Sequence, residues 1–96
     1  MSNIRSKLKQ SAIECLESAY DSNSKNTAII ELRQAEMFLE MFLNRLDQTE
    51  QGKLFVLYSN LTRFVGEISQ LLTCKNSRLL KYKPLIKDVI DKLNDE

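Results

Sequence analysis

The sequence predicts an all-α protein, an antiparallel up-down four-helix bundle formed by residues 1–96 as a single domain. Three observations predict it. The chain has only two glycines and one proline in 96 residues, too few for the closely spaced turns of an all-β fold. Apolar residues recur at steps of three and four along most of the chain, the period of helices buried on one side. The polar stretches between these segments are short, and short connections make consecutive helices antiparallel neighbours.

The first helix is expected from about Asn3 to Tyr20, with Ile4, Leu8, Ala12, Cys15 and Ala19 as its stripe and Ile13, Leu16 and Tyr20 beside it. It stops in DSNSKN, whose side chains compete for backbone hydrogen bonds and favour turns and caps. Asn26 or Thr27 is the expected cap of the second helix, which runs to about Leu46. There Ala28, Leu32, Ala35, Leu39, Phe42 and Leu46 follow one another at steps of 4, 3, 4, 3 and 4, a heptad-type seam. DQTEQG then breaks the pattern, ending in Gly52. The third helix is expected over Lys53 to Thr73, with Leu54, Leu57, Tyr58, Leu61, Phe64, Val65, Ile68, Leu71 and Leu72 as one broad apolar face. Gly66 inside it costs about 1 kcal/mol relative to Ala, and close approach of a neighbouring helix is a reason to keep it. After CKNS, the last helix starts at Arg78 or Lys83 and runs to Leu93, with Leu85, Ile86, Val89, Ile90 and Leu93 inward and Pro84 in the first turn, where its missing N–H is harmless.

One stretch exceeds what a bundle helix needs. Residues 35–46 read AEMFLEMFLNRL, with Met-Phe-Leu twice. At 100° per residue, Leu39 and Phe42 lie on the seam, with Phe38 and Leu43 on its flanks. Arg33, Glu36, Glu40 and Asn44 line up roughly opposite. Ile30, Met37 and Met41 form a separate line between these polar residues and Gln34 and Arg45. Phe55 and Val56 at the start of the third helix similarly point away from Leu54, Leu61 and Ile68. These extra apolar residues serve either contacts with two neighbours inside the bundle or the docking of another chain's helix. Methionine suits the second use, because its unbranched thioether adapts to varied shapes.

Composition narrows the function classes. The formal net charge is +1, which provides no general field for nucleic acid or acidic membranes. No apolar run approaches the roughly 18 residues of a membrane span, and MSNIRSKLKQS has no apolar core of a secretory signal. Histidine is absent, and with it the commonest general acid–base. No phosphate-binding loop, HExxH or paired nucleophile occurs. Cys15 and Cys74 have no metal-ligand spacing and read as buried free thiols. The carboxylate neighbours Glu14 and Glu17, Glu36 and Glu40, and Asp88 and Asp91 read as solvated surface. Lys75, Arg78, Lys81, Lys83 and Lys87 form a basic run without an acidic residue, which reads as a solvated face near a helix start ahead of a phosphate-binding patch. A non-enzymatic protein without cofactor, metal, nucleic-acid partner or membrane insertion is expected.

Several motifs resemble those of the bacterial flagellin-export chaperone family (FliS-like proteins) from about Leu8 to Leu93. Ala12, Ile13 and Leu16 match its first-helix Ala-Ile and following apolar residue. Ala35 lies eleven residues before the Leu46-Asp47 pair, as the family's second-helix Ala does. TEQG matches its short Glu/Gly link, and Leu54, Leu61, Phe64 and Val65 match its third helix. The chain departs from the family at Gln51-Gly52, Leu57-Tyr58 and Leu61-Thr62, where a double glycine, an Asn-Leu and a Leu-Tyr pair are usual. The Tyr-rich N-terminal segment that covers the family's binding groove and the usual C-terminal Trp are not matched.

The resemblance implies a cytoplasmic chaperone without ATP or catalysis. It would hold flagellin's amphipathic C-terminal segment unassembled and present it for flagellar type III export. Ile30, Met37, Met41, Phe55 and Val56 are the expected client contacts. Two other expectations stand beside this one: a homo-oligomer, such as a homodimer, pairing through the second stripe, and a regulatory or nucleic-acid-binding module using residues 75–87.

Overall fold

The computed structural model describes residues 4–46 and 52–95. They form four helices, α1 (Ile4–Asp21), α2 (Lys25–Leu43), α3 (Gly52–Leu72) and α4 (Leu79–Asp95), with no strand among the described residues. At 1.5 Å per residue, helices of 17–21 residues are about 26–32 Å long. The molecule measures 43 × 21 × 20 Å, so each helix fits only roughly along the long axis. The main contacts run in a ring: α1 packs on α2 and α4, and α3 packs on α2 and α4.

The heptad-type seam of α2 is the centre of the core. Ala28, Leu32, Ala35, Leu39, Phe42 and Leu46 are all buried. Leu8, Ala12, Ile13, Leu16 and Ala19 meet them from α1, and Tyr58, Leu61, Val65, Ile68 and Leu72 from α3. Ile86, Val89, Ile90 and Leu93 complete the cluster from α4. Phe42 stacks on Tyr58 with ring centroids 4.5 Å apart and planes 18° from parallel. The small residues Ala12, Ala19, Ala28 and Ala35 are fully buried, leaving room for the large ones opposite. Thr62 and Ser69 are the buried polar residues of α3, and their hydroxyls donate to the carbonyls of Tyr58 (2.6 Å) and Gly66 (2.8 Å). Such back-bonding satisfies a hydroxyl without an outside partner.

Several element ends differ from expectation. The α2 cap is Ser24, not Asn26 or Thr27: it has extended backbone (φ −108°, ψ 123°), and its Oγ accepts from the Thr27 amide. Ser22 braces the turn, its Oγ accepting from the Ser24 amide and donating to the Ser24 carbonyl. Gly52 opens α3 instead of sitting in the link. Residues 47–51, which hold most of DQTEQG, lie outside the described residues, as does Asn3.

α4 begins at Leu79, between the expected starts at Arg78 and Lys83. Pro84 is therefore the sixth helical residue rather than a first-turn one. Its missing N–H leaves the Leu80 carbonyl without the usual helical donor, and Leu80 stands 77% exposed, where water can serve. The expected stripes are not enclosed throughout, and Leu54, Leu57, Phe64 and Leu85 are half-buried. Ile4 is exposed near the start of α1, Cys15 is half-buried, and Leu71 is exposed although counted in the apolar face of α3. Leu72 continues the line from Val65 and Ile68, and Leu71, turned about 100° from it, leaves that line for solvent. Cys74 is exposed, contrary to the expectation of two buried thiols.

Candidate functional site

The outer surface of α2 is fixed by what its two flanks touch. On one flank the Cys15 thiol of α1 lies 3.8 Å from Gln34 Oε1. On the other, the Glu36 carboxyl lies over Gly66 of α3: a Cβ built at Gly66 would stand 2.5 Å from Glu36 Oε2. The close approach that explains Gly66 is thus a side chain of α2. Between the flanks, and directly opposite the buried seam, run Ile30, Met37 and Met41. They are 56%, 49% and 41% exposed, so both methionines are open to solvent.

This revises the expected layout of the helix. Glu36 does not lie opposite the seam with Arg33 and Asn44. It is half-buried on the side facing α3. Burial, then the nearby charge of Glu40, raise its pKa from the ordinary 4.5, while Arg33 acts the other way. The outermost ridge is apolar, and part of the charged line has turned inward. A buried outer ridge would need a fifth element, and none of the described helices covers it.

Of the two α3 candidates, Val56 is 58% exposed. Phe55 is not turned away as expected. It is half-buried, packs against the core and shares a hollow with Leu43 and Leu46 at the end of α2. A large ring one turn into α3 gains apolar contact by leaning on that end. The structure therefore leaves Ile30, Met37, Met41 and Val56 open and folds Phe55 into the bundle margin.

Among the described residues no group of three or more His, Cys, Asp or Glu could hold a metal ion. Cys15 is a poor nucleophile: burial, then Glu31 and Glu14, push its thiol up to about 11. No helix is long and apolar enough to cross a membrane among the described residues.

A second cluster escaped the sequence reading. Lys25, the first residue of α2, donates from Nζ to the carbonyls of Ser77 (2.8 Å) and Cys74 (3.1 Å) and to Ser77 Oγ (3.1 Å). Ser77 Oγ itself donates toward the Leu72 and Cys74 carbonyls, at 3.0 and 2.8 Å. Lysine and serine together cap the C-terminal end of α3, where unpaired carbonyls favour a cation. The contact spans some fifty residues of chain, so only the basic run around it was visible in the sequence.

No family model, curated protein or solved structure matches the chain.

Proposed function

We propose that the protein is a non-catalytic helical chaperone whose exposed ridge of Ile30, Met37 and Met41, with Val56, holds an amphipathic helix of a protein client. The single observation behind this reading is that the ridge lies opposite the core, uncovered by the described helices, while the seam on the same helix is fully buried. A helix used only for folding needs one apolar stripe; this one keeps two. Each ridge side chain is about half exposed, so covering it contributes roughly 1 kcal/mol before ordering costs. A client with several matching apolar positions is then required for tight binding.

The resemblance to flagellin-export chaperones names the client and the setting. The client is the flagellin C-terminal segment, kept from assembling in the cytoplasm before type III export. An up-down arrangement of the four helices belongs to the same reading, and the short connections favour it. The role needs no cofactor, nucleic acid or membrane insertion. Phe55, packed at the bundle margin, is assigned to supporting Val56 rather than to the client.

Titration calorimetry with a flagellin C-terminal peptide tests the proposal. One-to-one binding is expected, and Met41→Glu should weaken it at least about tenfold while thermal stability stays nearly unchanged. Absence of binding by the native protein refutes the flagellin client. Unfolding of Met41→Glu refutes the assignment of Met41 to the ridge.

A second reading has its own support. Ile30, Met37 and Asn44 lie seven residues apart, as do Gln34 and Met41, which is the spacing of a coiled-coil seam. Two copies could pair along it as a homodimer. Light scattering over a concentration series separates the two readings, since dimerisation through this ridge competes with a client.

A further inference from the structure

The corner between α3 and α4 carries a surface separate from the α2 ridge. Leu71, Cys74, Lys75, Asn76, Ser77, Arg78, Lys81 and Tyr82 line a shallow hollow of about 480 Å³. Three of these are cations, and Lys25 adds a fourth from behind, bonded to the Cys74 and Ser77 carbonyls. The neighbouring cations have partners. Lys87 pairs with Asp91 at 3.3 Å, and Lys83 lies 5.8 Å from the centre of the Tyr20 ring. Lys81 lies 5.9 Å from the Tyr82 ring. Among the described residues, no carboxylate forms an ion pair with Lys75, Arg78 or Lys81.

The C-terminal end of α3 accounts for Lys25 and suits Lys75, but the fold gives no reason for Arg78 and Lys81. Arg78 and Lys81 flank the first turn of α4, the positive end of its dipole, where acidic residues stabilise and cations do not. That first turn contains no acidic residue. Like charges gathered at the wrong end of a helix lower stability, and a local conflict of this kind marks a surface kept for another purpose. Beside the cations, Leu71 lines the hollow while 46% exposed, and Tyr82 lines it with a half-buried ring. Cations alone would suit any polyanion. Cations around an open leucine and a tyrosine suit a partner that brings carboxylates and a bulky apolar side chain together. The hollow is concave, which fits an inserted peptide better than a flat bilayer.

We infer that this corner docks an acidic amphipathic peptide segment of a partner protein, with its carboxylates on Lys75, Arg78 and Lys81 and an apolar side chain against Leu71 and Tyr82. The site is independent of the α2 ridge, so the protein can hold two different segments at once.

The test uses the full chain and a fluorescein-labelled acidic peptide, DELLEDFLEELD, with its neutral analogue NQLLQNFLQQLN as control. Fluorescence anisotropy should show saturable binding of the acidic peptide that weakens with added salt. The neutral analogue should bind at least about tenfold more weakly. Amide shift changes should fall on residues 71–82 and spare Ile30, Met37 and Met41. Arg78→Glu with Lys81→Glu should cut affinity at least about tenfold. Its folding should be intact, because acidic groups suit the start of α4. Leu71→Ser, at an exposed position, gives a second variant without a charge change and should also weaken binding. Met41→Glu should leave it unaltered. Equal affinity of both peptides, shifts centred on the α2 ridge, or loss through Met41→Glu overturns the inference. So does binding of phosphatidylserine vesicles or a single-stranded oligonucleotide at this corner without the peptide. Self-association abolished by the charge-reversed variant also overturns it, since the occupant is then a second copy of the chain.

Discussion

Replacement of Gly66 by alanine tests the packing of α2 on α3 most directly. Gly66 sits inside a 21-residue helix, where glycine costs about 1 kcal/mol relative to alanine. Against that gain stands Glu36, whose Oε2, Cδ and Oε1 atoms would lie 2.5, 3.0 and 3.3 Å from the new Cβ. These atoms are the far end of a flexible side chain, not backbone, and the residue is only half-buried. Burial and Glu40 already disfavour its charge, as its raised pKa records. Moving the carboxyl outward therefore costs little.

We expect Gly66→Ala to stabilise the fold by about 0.5–1 kcal/mol, or roughly 2–8 °C in Tm for a domain of this size. In a Glu36→Ala background the full gain of about 1 kcal/mol is expected. Urea unfolding followed by far-UV circular dichroism measures both. In the same experiments the Glu36 pKa should fall toward 4.5 in Gly66→Ala. If Gly66→Ala destabilises the protein by more than about 1 kcal/mol in both backgrounds, the reasoning fails. The space above Gly66 would then be closed by something that cannot move.

The remaining predictions concern the ends and faces of the helices. Because the folded pKa of Glu36 lies above its unfolded value, its stability contribution is fully present below about 4.5 and is lost as pH rises through the folded pKa. Glu36→Gln should thus be more stable than the native chain at neutral pH and lose that advantage below about 4.5, read by thermal unfolding across a pH series. Phe42→Ala should cost about 3–5 kcal/mol, since Phe42 is buried and stacked on Tyr58. Met41→Ala, one residue earlier and exposed, should change stability by no more than about 0.5 kcal/mol in the same denaturation assay. Ser24→Ala removes the α2 cap and should cost about 1 kcal/mol; no loss would mean that the Ser24 to Thr27 contact at 3.3 Å contributes nothing. With a thiol-specific chromogenic reagent at mildly alkaline pH, exposed Cys74 should react quickly and Cys15 slowly. Equal rates should return in denaturant, because the Cys15 shift depends on burial.

The helices and the core were legible because they rest on period. Every member of the α2 seam is buried where the steps of three and four place it. Element ends were less legible. Ser24, Asn26 and Thr27 are all acceptable caps by type, and the choice of Ser24 follows from its bracing by Ser22. The same choice makes Lys25 helical and lets it reach the far loop. A first-turn position for Pro84 is what the sequence predicts, because nothing local distinguishes Arg78 from Lys83 as a start. Leu79 and Tyr82, ahead of the proline, pack against the core and hold the helix there. Among the candidate client contacts, Ile30, Met37, Met41 and Val56 are exposed, while Phe55 is partly covered by the end of α2. A wheel gives the direction in which a side chain leaves its own helix. It cannot give what the neighbouring helix places there.

The sequence by itself determined the four helices and the stripe that each buries, because period and apolarity act within one element. It also determined that α2 has more apolar residues than its core seam uses. Only the tertiary structure decided which extra residues remain open. Gly66 draws Glu36 inward on one flank and Cys15 meets Gln34 on the other, so the ridge of Ile30, Met37 and Met41 is what faces solvent. Only the tertiary structure joined Lys25 to Cys74 and Ser77 and set that charge behind Lys75, Arg78 and Lys81. Both decisions rest on contacts between residues far apart in the chain, where packing between helices decides and local pattern has no say.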